Sequence, residues 1–381
     1  MPGRVSWACP FPSLKPILPP LVGSKSLAGR HGGCFMAVLS TAPLQLQPGR
    51  KPAATGSPLL SVIIVNYRRW AETAALVEQL AATEAYFRDS IEIIVIDNDS
   101  PHDPLEDQLR HREGITFHRL PENRGFSAGV NAGFARSQGD WVLVLNPDLI
   151  VCPGFIDLTC AAAIDVEHDH VEDRPIGVVG FQLRNRDGSR QLSTGLFPNI
   201  AKMVLGLLRC RRSRKYEATD NASRQPVSWV TGSCLLVRRS CMEELRGFDE
   251  EFFLYYEDVD LCRRARSQGW AVCYEPAVEA VHLDPLQNRP LTAPMRAITR
   301  HASLTYFRKH LPAWQFLVLA QIVRAESWIL HRLAWLRGKV DDLQIARQIR
   351  GICKDLMRDD VTGARARLEF VLKLAGMKSS G

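Results

Sequence analysis

Carboxylates and one histidine stand where this sequence could do chemistry. Asp97 closes the apolar run "IEIIVIDND", and Asp148 ends Asn146-Pro147-Asp148 after a second apolar run, "DWVLVLNPD". Glu257, Asp258 and Asp260 open a helical segment, and His282 follows a further apolar run. Oxygen and imidazole groups at strand ends suit Mg²⁺ or Mn²⁺. An ion held there would bridge a diphosphate and neutralise the charge that grows as it leaves. A separate carboxylate would take the proton of an attacking hydroxyl. Such a reaction needs the metal group and the base on opposite sides of the reacting carbon. Each residue also has a plainer reading. A strand-end Asp is usually a turn or cap residue. Asp258 and Asp260 suit a helix N-terminus through the macrodipole alone. A lone His282 is more often a satisfied core or surface histidine. The joint pattern carries the signal.

These groups need elements to position them. "LLSVIIVNY" reads as a buried parallel strand, followed by an amphipathic helix over 70–86 with Ala75, Val77, Leu80 and Ala81 inward. Residues 91–99, 114–120 and 140–148 read as three more strands, and 127–137 as a helix of small residues. Strand–helix alternation predicts a parallel α/β sheet with right-handed crossovers. The polar residues fall just past the strand ends, where open α/β sheets hold ligands. No G-x-G-x-x-G or P-loop is present. Further on, 176–191 reads as a strand and a turn around Asp187-Gly188, and 227–240 as a strand. A loop and helix cover 248–270, and two short strands cover 271–284. The chain after Leu291 reads as helical and basic.

Charge is distributed unevenly over the 381 residues. Residues 1–57 hold 6 Lys/Arg and no Asp/Glu, and residues 285–381 hold 17 against 7. The middle, 58–284, holds 25 against 34. An acidic middle excludes a nucleic-acid groove there and suits a cation site, with the basic ends available to an anionic surface. The 10 Cys show no CxxC pair and read as reduced, cytosolic thiols. Residues 1–57, rich in Pro, Gly and Ser, read as disordered, with Met36 a candidate start. No stretch reaches the roughly 20 apolar residues that a membrane span needs.

Six segments in order carry a resemblance: "SVIIVNY", "EIIVIDNDS", "ENRGFSAGVNAGF", "GDWVLVLNPDLIV", "WVTGSCLLVRR" and "FDEEFFLYYEDVDLCRRARSQGW". Over about 59–284 the chain resembles family 2 glycosyltransferases, in particular the branch containing bacterial rhamnosyltransferases. The resemblance implies an α/β fold of GT-A type: a mostly parallel sheet flanked by helices, here with a helical C-terminal extension. It implies inverting transfer of a sugar from a nucleotide-sugar donor to a glycan or lipid-linked glycan acceptor. Val65, Asn66 and Tyr67 would line the nucleotide base pocket, and Asp97 would contact base or ribose. Arg124, Gly125 and Asn131 would border the nucleotide and phosphates. The family's Asp-x-Asp metal motif stands here as Asn146-Pro147-Asp148, leaving Asp148 as the principal ligand for Mg²⁺ or Mn²⁺. His282 matches a further metal position, although Leu283-Asp284-Pro285 is not the usual glycine-rich continuation. Glu257-Asp258 matches the Glu-Asp motif, with Asp258 the base. The branch points to dTDP-L-rhamnose and surface polysaccharide synthesis. A UDP-sugar donor, or a non-catalytic nucleotide-sugar- or glycan-binding module, is the alternative.

The expected organisation is a disordered segment 1–57, a glycosyltransferase domain 58–290 and a helical region 291–381. The domain divides into a nucleotide-binding half (58–150) and an acceptor and catalytic half (175–290). Two basic features lie apart from the motifs. The cluster 209–215 suits either an acceptor diphosphate or a solvated loop. In 313–336, Trp314, Trp328 and Trp335 fall near one helix face. That helix either packs on the domain or holds a cytoplasmic enzyme peripherally on the inner membrane face.

Overall fold

The computed structural model describes residues 57–203, 216, 223–285 and 291–377. Residues 1–56 and the basic cluster 209–215 lie outside the described residues. The first apolar run forms β1 (Leu60–Asn66), with every residue buried. β2 (Ile91–Asp97), β3 (Ile115–Arg119) and β4 (Trp141–Leu145) run parallel to it in the order β3-β2-β1-β4. The register sets Asn66 opposite Asp97, so β1 and β2 deliver polar residues to one level of the same edge.

The predicted helix 70–86 is two helices, α1 (Trp70–Ala81) and α2 (Glu84–Phe87). Thr83 breaks it, its hydroxyl donating to the Leu80 carbonyl. The buried face of α1 includes Ala74, Leu76, Val77 and Leu80, so Ala75 lies just off the predicted face and is only half-buried. After α3 (Pro104–Arg110) comes α4 (Phe126–Phe134), whose small residues have a steric purpose. A Cβ on Gly129 would stand 2.6 Å from Val65, and one on Gly133 2.5 Å from Ile63. Only hydrogen at these positions lets α4 lie this close on β1.

Beyond β4 the chain adds β5 (Leu149–Val151), α5 (Phe155–Val166), β6 (His170–Val171) and the long β7 (Arg174–Arg184). Short strands follow: β8 (Arg190–Gln191), β9 (Thr194–Gly195), β10 (Gln225–Pro226) and β11 (Trp229–Val230). Then come β12 (Cys234–Arg238), α6 (Arg239–Glu244), α7 (Glu257–Ser267) and β13 (Ala271–His282). β12 lies antiparallel between β4 and β7, and β13 runs parallel to β7, so the sheet is mixed beyond its parallel first half. Two expectations change. Residues 227–240 are broken into β11, a turn, β12 and α6 rather than one strand. The expected pair of strands in 271–284 is the single β13. Its pairing with β7 shifts register between Glu275 and Glu279, where Pro276 offers no backbone N–H.

The C-terminal region folds as α8 (Ala293–His310), α9 (Ala313–Leu336), α10 (Val340–Leu356) and α11 (Val361–Leu374). Alternation along β1 divides the interior. Leu60, Val62 and Ile64 face one core with α1 and α5. Ile63 and Val65 face another that continues through Phe252 and Val259 to Leu304, Leu319, Ile349 and Leu368. The C-terminal helices therefore complete one of the sheet's two cores. The α/β sheet flanked by helices, with a helical extension, is the expected fold class. No described helix is long and apolar enough to cross a membrane. The described cysteines are free, and burial raises the thiol pKa to about 11 for Cys160 and about 12 for Cys353.

Candidate active site

Asn66 organises the edge where β1 and β2 end. Its amide donates to Asp97 Oδ1 at 2.9 Å and to Ser100 Oγ at 3.2 Å. Its carbonyl oxygen accepts from the Arg69 N–H and the Thr73 hydroxyl. Asn66 is fully buried and fully engaged, so it positions Asp97 rather than facing an open pocket. Asp97 is also completely buried, and that burial raises its pKa against the opposing hydrogen bonds from Ser100 and Asn66. Arg119 Nε stands 3.6 Å from it.

Asp148 and His282 are brought together by the pairing of β5 with β13, which sets His282 opposite Leu149. The backbone closes the same junction, with Leu283 N–H donating to the Asp148 carbonyl at 2.9 Å. His282 Nε2 lies 3.3 Å from Asp148 Oδ1, both side chains being buried, yet Nε2 makes no hydrogen bond. On the far side of the ring, the Gln191 amide nitrogen sits 3.2 Å from Nδ1, and Gln191 Oε1 has no partner. With that amide turned over, Oε1 accepts from Nδ1–H and Nε2 keeps a lone pair beside Asp148. A buried carboxylate and imidazole in this relation fit a divalent cation. Among the described residues no group of three or more His, Cys, Asp or Glu could hold one. Two protein ligands leave the remaining positions to diphosphate oxygens and water, as Mg²⁺ and Mn²⁺ sites commonly do. Asn146 sits half-buried at the head of this turn, its N–H donating to the Ser233 carbonyl at 2.9 Å.

That bond leads to the second acidic group. Gly232, next to Ser233, donates its N–H to Asp258 Oδ2 at 3.2 Å, and Val259 N–H donates to Oδ1 at 2.8 Å. Asp258 and Glu257 are both buried at the start of α7. The chain enters α7 through Tyr255 and Tyr256, at φ +74° and +68°, a left-handed pair that non-glycine residues rarely adopt. Such strain is held only where surrounding packing fixes it, and it recurs at functional sites. Through the turn 231–233, Asn146-Pro147-Asp148 and Asp258 share one edge of the sheet.

A profile of the family described as "Glycosyltransferase like family 2" matches residues 57–312, more than half of the chain. The chain belongs to this family of glycosyltransferases. It is 30% identical over 244 residues to the N-acetylglucosaminyl-diphospho-decaprenol L-rhamnosyltransferase of Mycobacterium tuberculosis, spanning 59% of this chain and 76% of that protein. It is 26% identical over 247 residues to the rhamnosyltransferase WbbL of Escherichia coli K12, spanning 61% and 86%. Among solved structures, Staphylococcus aureus TarS 1-349 aligns at 14% identity with a TM-score of 0.45, covering 83% of this chain and 91% of that one.

In this family 2 glycosyltransferase the other motif residues serve the loop 248–256. Gly125, at φ +95°, lies so close to Phe253 that a Cβ would stand 2.3 Å from its carbonyl oxygen. Asn131 donates to the Phe248 carbonyl at 2.9 Å and accepts from the Phe248 N–H at 2.8 Å. Arg124 pairs with Glu250 at 2.6 Å. These three clamp the loop that carries Asp258. Val65 is buried beneath Gly129. Tyr67 stands half-buried at the mouth of the β1 edge, where its hydroxyl donates to the Met377 carbonyl at 2.7 Å. Asn123 donates to the same carbonyl at 3.0 Å, and Arg68 reaches the Gly376 carbonyl. The C-terminal turn thus lies over the end of β1.

Asp260 departs from the constellation. It is fully buried, accepting from Arg264 Nε at 2.7 Å and meeting His310 Nε2 at 2.6 Å. It ties α7 to α8. Sequence reasoning missed Gln191, for which no sequence signal exists, and the Arg69–Asp284 pair at 2.8 Å. It also missed the role of Gly232, although the motif around it was visible.

Proposed function

We propose that this glycosyltransferase inverts the anomeric centre of L-rhamnose as it moves the sugar from dTDP-L-rhamnose to a lipid-linked glycan acceptor in surface polysaccharide synthesis. The observation that carries this is the placement of two separate acidic groups on one sheet edge: Asp148 with His282, and Asp258 under Gly232. The donor and acceptor follow from the rhamnosyltransferase relatives, one of which is named for a diphospho-decaprenol acceptor.

Asp148 and His282 would hold Mg²⁺ or Mn²⁺, which neutralises the charge of a departing nucleotide diphosphate. Asn66, Ser100 and Asp97 form a rigid shelf at the end of β1 and β2, where Tyr67 offers a ring to the nucleotide base. The N–H groups of Gly232 and Val259 fix the orientation of Asp258, which would take the acceptor proton. As the acceptor oxygen bonds to the anomeric carbon, the bond from that carbon to the nucleotide diphosphate oxygen breaks on the opposite face. The hydroxyl proton passes to Asp258. One displacement inverts the centre and needs no covalent intermediate. Burial of Asp258 keeps water from competing for it. A lipid-linked acceptor places the enzyme peripherally on the cytoplasmic face of a membrane.

The test is donor turnover. The purified protein, given Mg²⁺ or Mn²⁺ and a panel of dTDP-, UDP- and GDP-sugars, should release nucleotide diphosphate from dTDP-L-rhamnose, and Asp148→Ala should abolish it. Release from a different donor would replace the sugar assignment. Undiminished turnover in excess chelator would remove the metal from the reading.

A further inference from the structure

One face of α9 is largely uncovered among the described residues, its one neighbour being the Arg350 guanidinium, 4.4 Å over the Trp328 ring. Its inner face, Phe316, Leu319, Ala320, Val323 and Ser327, is buried in the shared core. The opposite face carries Trp314, Leu317, Val318, Trp328, Trp335 and Leu336. The three tryptophans are 58%, 53% and 64% exposed and Leu336 is 71% exposed. At 100° per residue these positions fall within about 60° of one line along the helix. The helix has 24 residues, so the stripe runs for roughly 36 Å. The helix does pack on the domain, through its inner face, while Trp314 and Trp335 stand outward and Trp328 lies beside Arg350. An apolar strip of this length is beyond what scattered surface residues account for.

Charge selects the occupant. No Asp or Glu lies on the stripe, and Arg332 sits on its midline. Glu326, on the inner flank, is neutralised by Arg296 and Arg300. At the C-terminal end of α9, Arg337 and Lys339 line a cavity of about 380 Å³ with an apolar floor of Leu330, Leu333 and Ile345 and one acid, Asp342. A second copy docked stripe to stripe would bury Arg332 against apolar side chains with no carboxylate to meet it. The segment 1–57, with 6 Lys/Arg and no acid, would bring like charge to the same flank. A bilayer surface has neither fault. Indole rings settle at headgroup depth, and an arginine among them reaches back to lipid phosphates.

We propose that the outward stripe of α9 is a docking face that lies in the headgroup layer of an anionic membrane, with Arg332 meeting lipid phosphates. This deepens the reading of a lipid-linked acceptor, on which it rests, by naming the surface that holds the enzyme beside it. The geometry gives adsorption, not insertion, because the buried half of α9 belongs to the protein core.

Flotation of the full chain with vesicles tests it. The protein should float with phosphatidylglycerol–phosphatidylcholine vesicles and much less with phosphatidylcholine alone. The triple variant Trp314→Ser, Trp328→Ser, Trp335→Ser should lose about tenfold or more in binding, and Arg332→Glu a smaller factor. Circular dichroism and release of nucleotide diphosphate from the donor should stay at wild-type values in all of them, since none of these side chains supports the sheet edge. Equal flotation of wild type and triple variant would overturn the proposal, as would a wild type that fails to float. A wild-type dimer that the triple variant converts to monomer would assign the stripe to self-association instead. Flotation without turnover of any donor would leave the docking face standing and remove the enzymatic reading.

Discussion

Two acidic regions of this molecule are built on opposite rules. At the seam between the loop 248–256 and the C-terminal helices, carboxylates meet cations. Asp249 and Glu251 meet Lys309, Glu251 and Asp359 meet Arg308, and Asp260 sits between Arg264 and His310. At the sheet edge neutral groups orient the carboxylates: Asn66 and Ser100 for Asp97, an imidazole beside Asp148, backbone N–H groups for Asp258. Two cations stand near this edge, Arg119 at 3.6 Å from Asp97 and Arg69 within electrostatic reach of Asp148, and each is paired with another carboxylate, Glu106 and Asp284. A carboxylate matched by a fixed cation has its charge answered and works as a fastener. One held by neutral donors is oriented while its charge stays available to a metal or a proton. Asp258 and Asp260, two residues apart on one helix, fall on opposite sides of this division.

Substitutions along α7 put that division at risk most directly. Asp258→Asn should lower turnover by about 10³-fold, within the range of a lost general base, with thermal stability close to wild type. Asp260→Asn should do the reverse, costing about 2–3 kcal/mol of unfolding free energy in denaturant titration while the folded fraction keeps most of its turnover. If Asp260→Asn matched Asp258→Asn in rate with unchanged stability, the division would be wrong. His282→Ala should weaken the response to Mg²⁺ or Mn²⁺ by about 10–100-fold, read as the metal concentration that restores half-maximal turnover.

His301 offers a third kind of group, a buried imidazole without a hydrogen-bond donor to orient it and with Arg365 and Arg308 adding to its reluctance to take a proton. Both ring nitrogens are buried without a hydrogen-bond partner in the described residues, and burial lowers its pKa to about 3. The unfolded chain binds a proton near pH 6.5 that the folded chain refuses until about pH 3. Its contribution is therefore present above pH 6.5 and is lost as pH falls toward 3. The slope is at most about 1.4 kcal/mol per pH unit. Denaturant unfolding at pH 7 and pH 5 should show the loss, and His301→Met should flatten it. The smallest effect is expected at Arg124→Ala. It breaks an exposed pair with Glu250, worth less than about 1 kcal/mol, and should loosen the loop more than the fold.

Much of this was legible in the sequence because buried strands announce themselves. The runs leading to Asn66, Asp97 and Asp148 are largely apolar, with Ser61 and Glu92 the exceptions, and their polar ends mark the sheet edge. Motif spacing brought Asp258 forward for the same reason, as the first polar turn after an aromatic loop. What stayed hidden depends on contacts distant in sequence. Asp260 is assigned to structure by His310, fifty residues on, and no local pattern distinguishes it from Asp258. Gln191 meets His282 only because β8 and β13 both pair with β7. Asn131 and Arg124 sit in a motif whose sequence suggests a ligand. Their side chains reach the loop 248–256, which the one-dimensional pattern sets more than a hundred residues away.

The carbonyls of Gly376 and Met377, gripped by Arg68, Tyr67 and Asn123, join the turn after α11 to β1, the last and first elements of the described residues. The fold is thereby fastened into a loop whose clasp sits at the rim of the sheet edge. A peptide fused after Gly381 begins four residues from that clasp. Whatever tugs on the tail is felt at Tyr67 before it is felt anywhere else in the nucleotide-binding half.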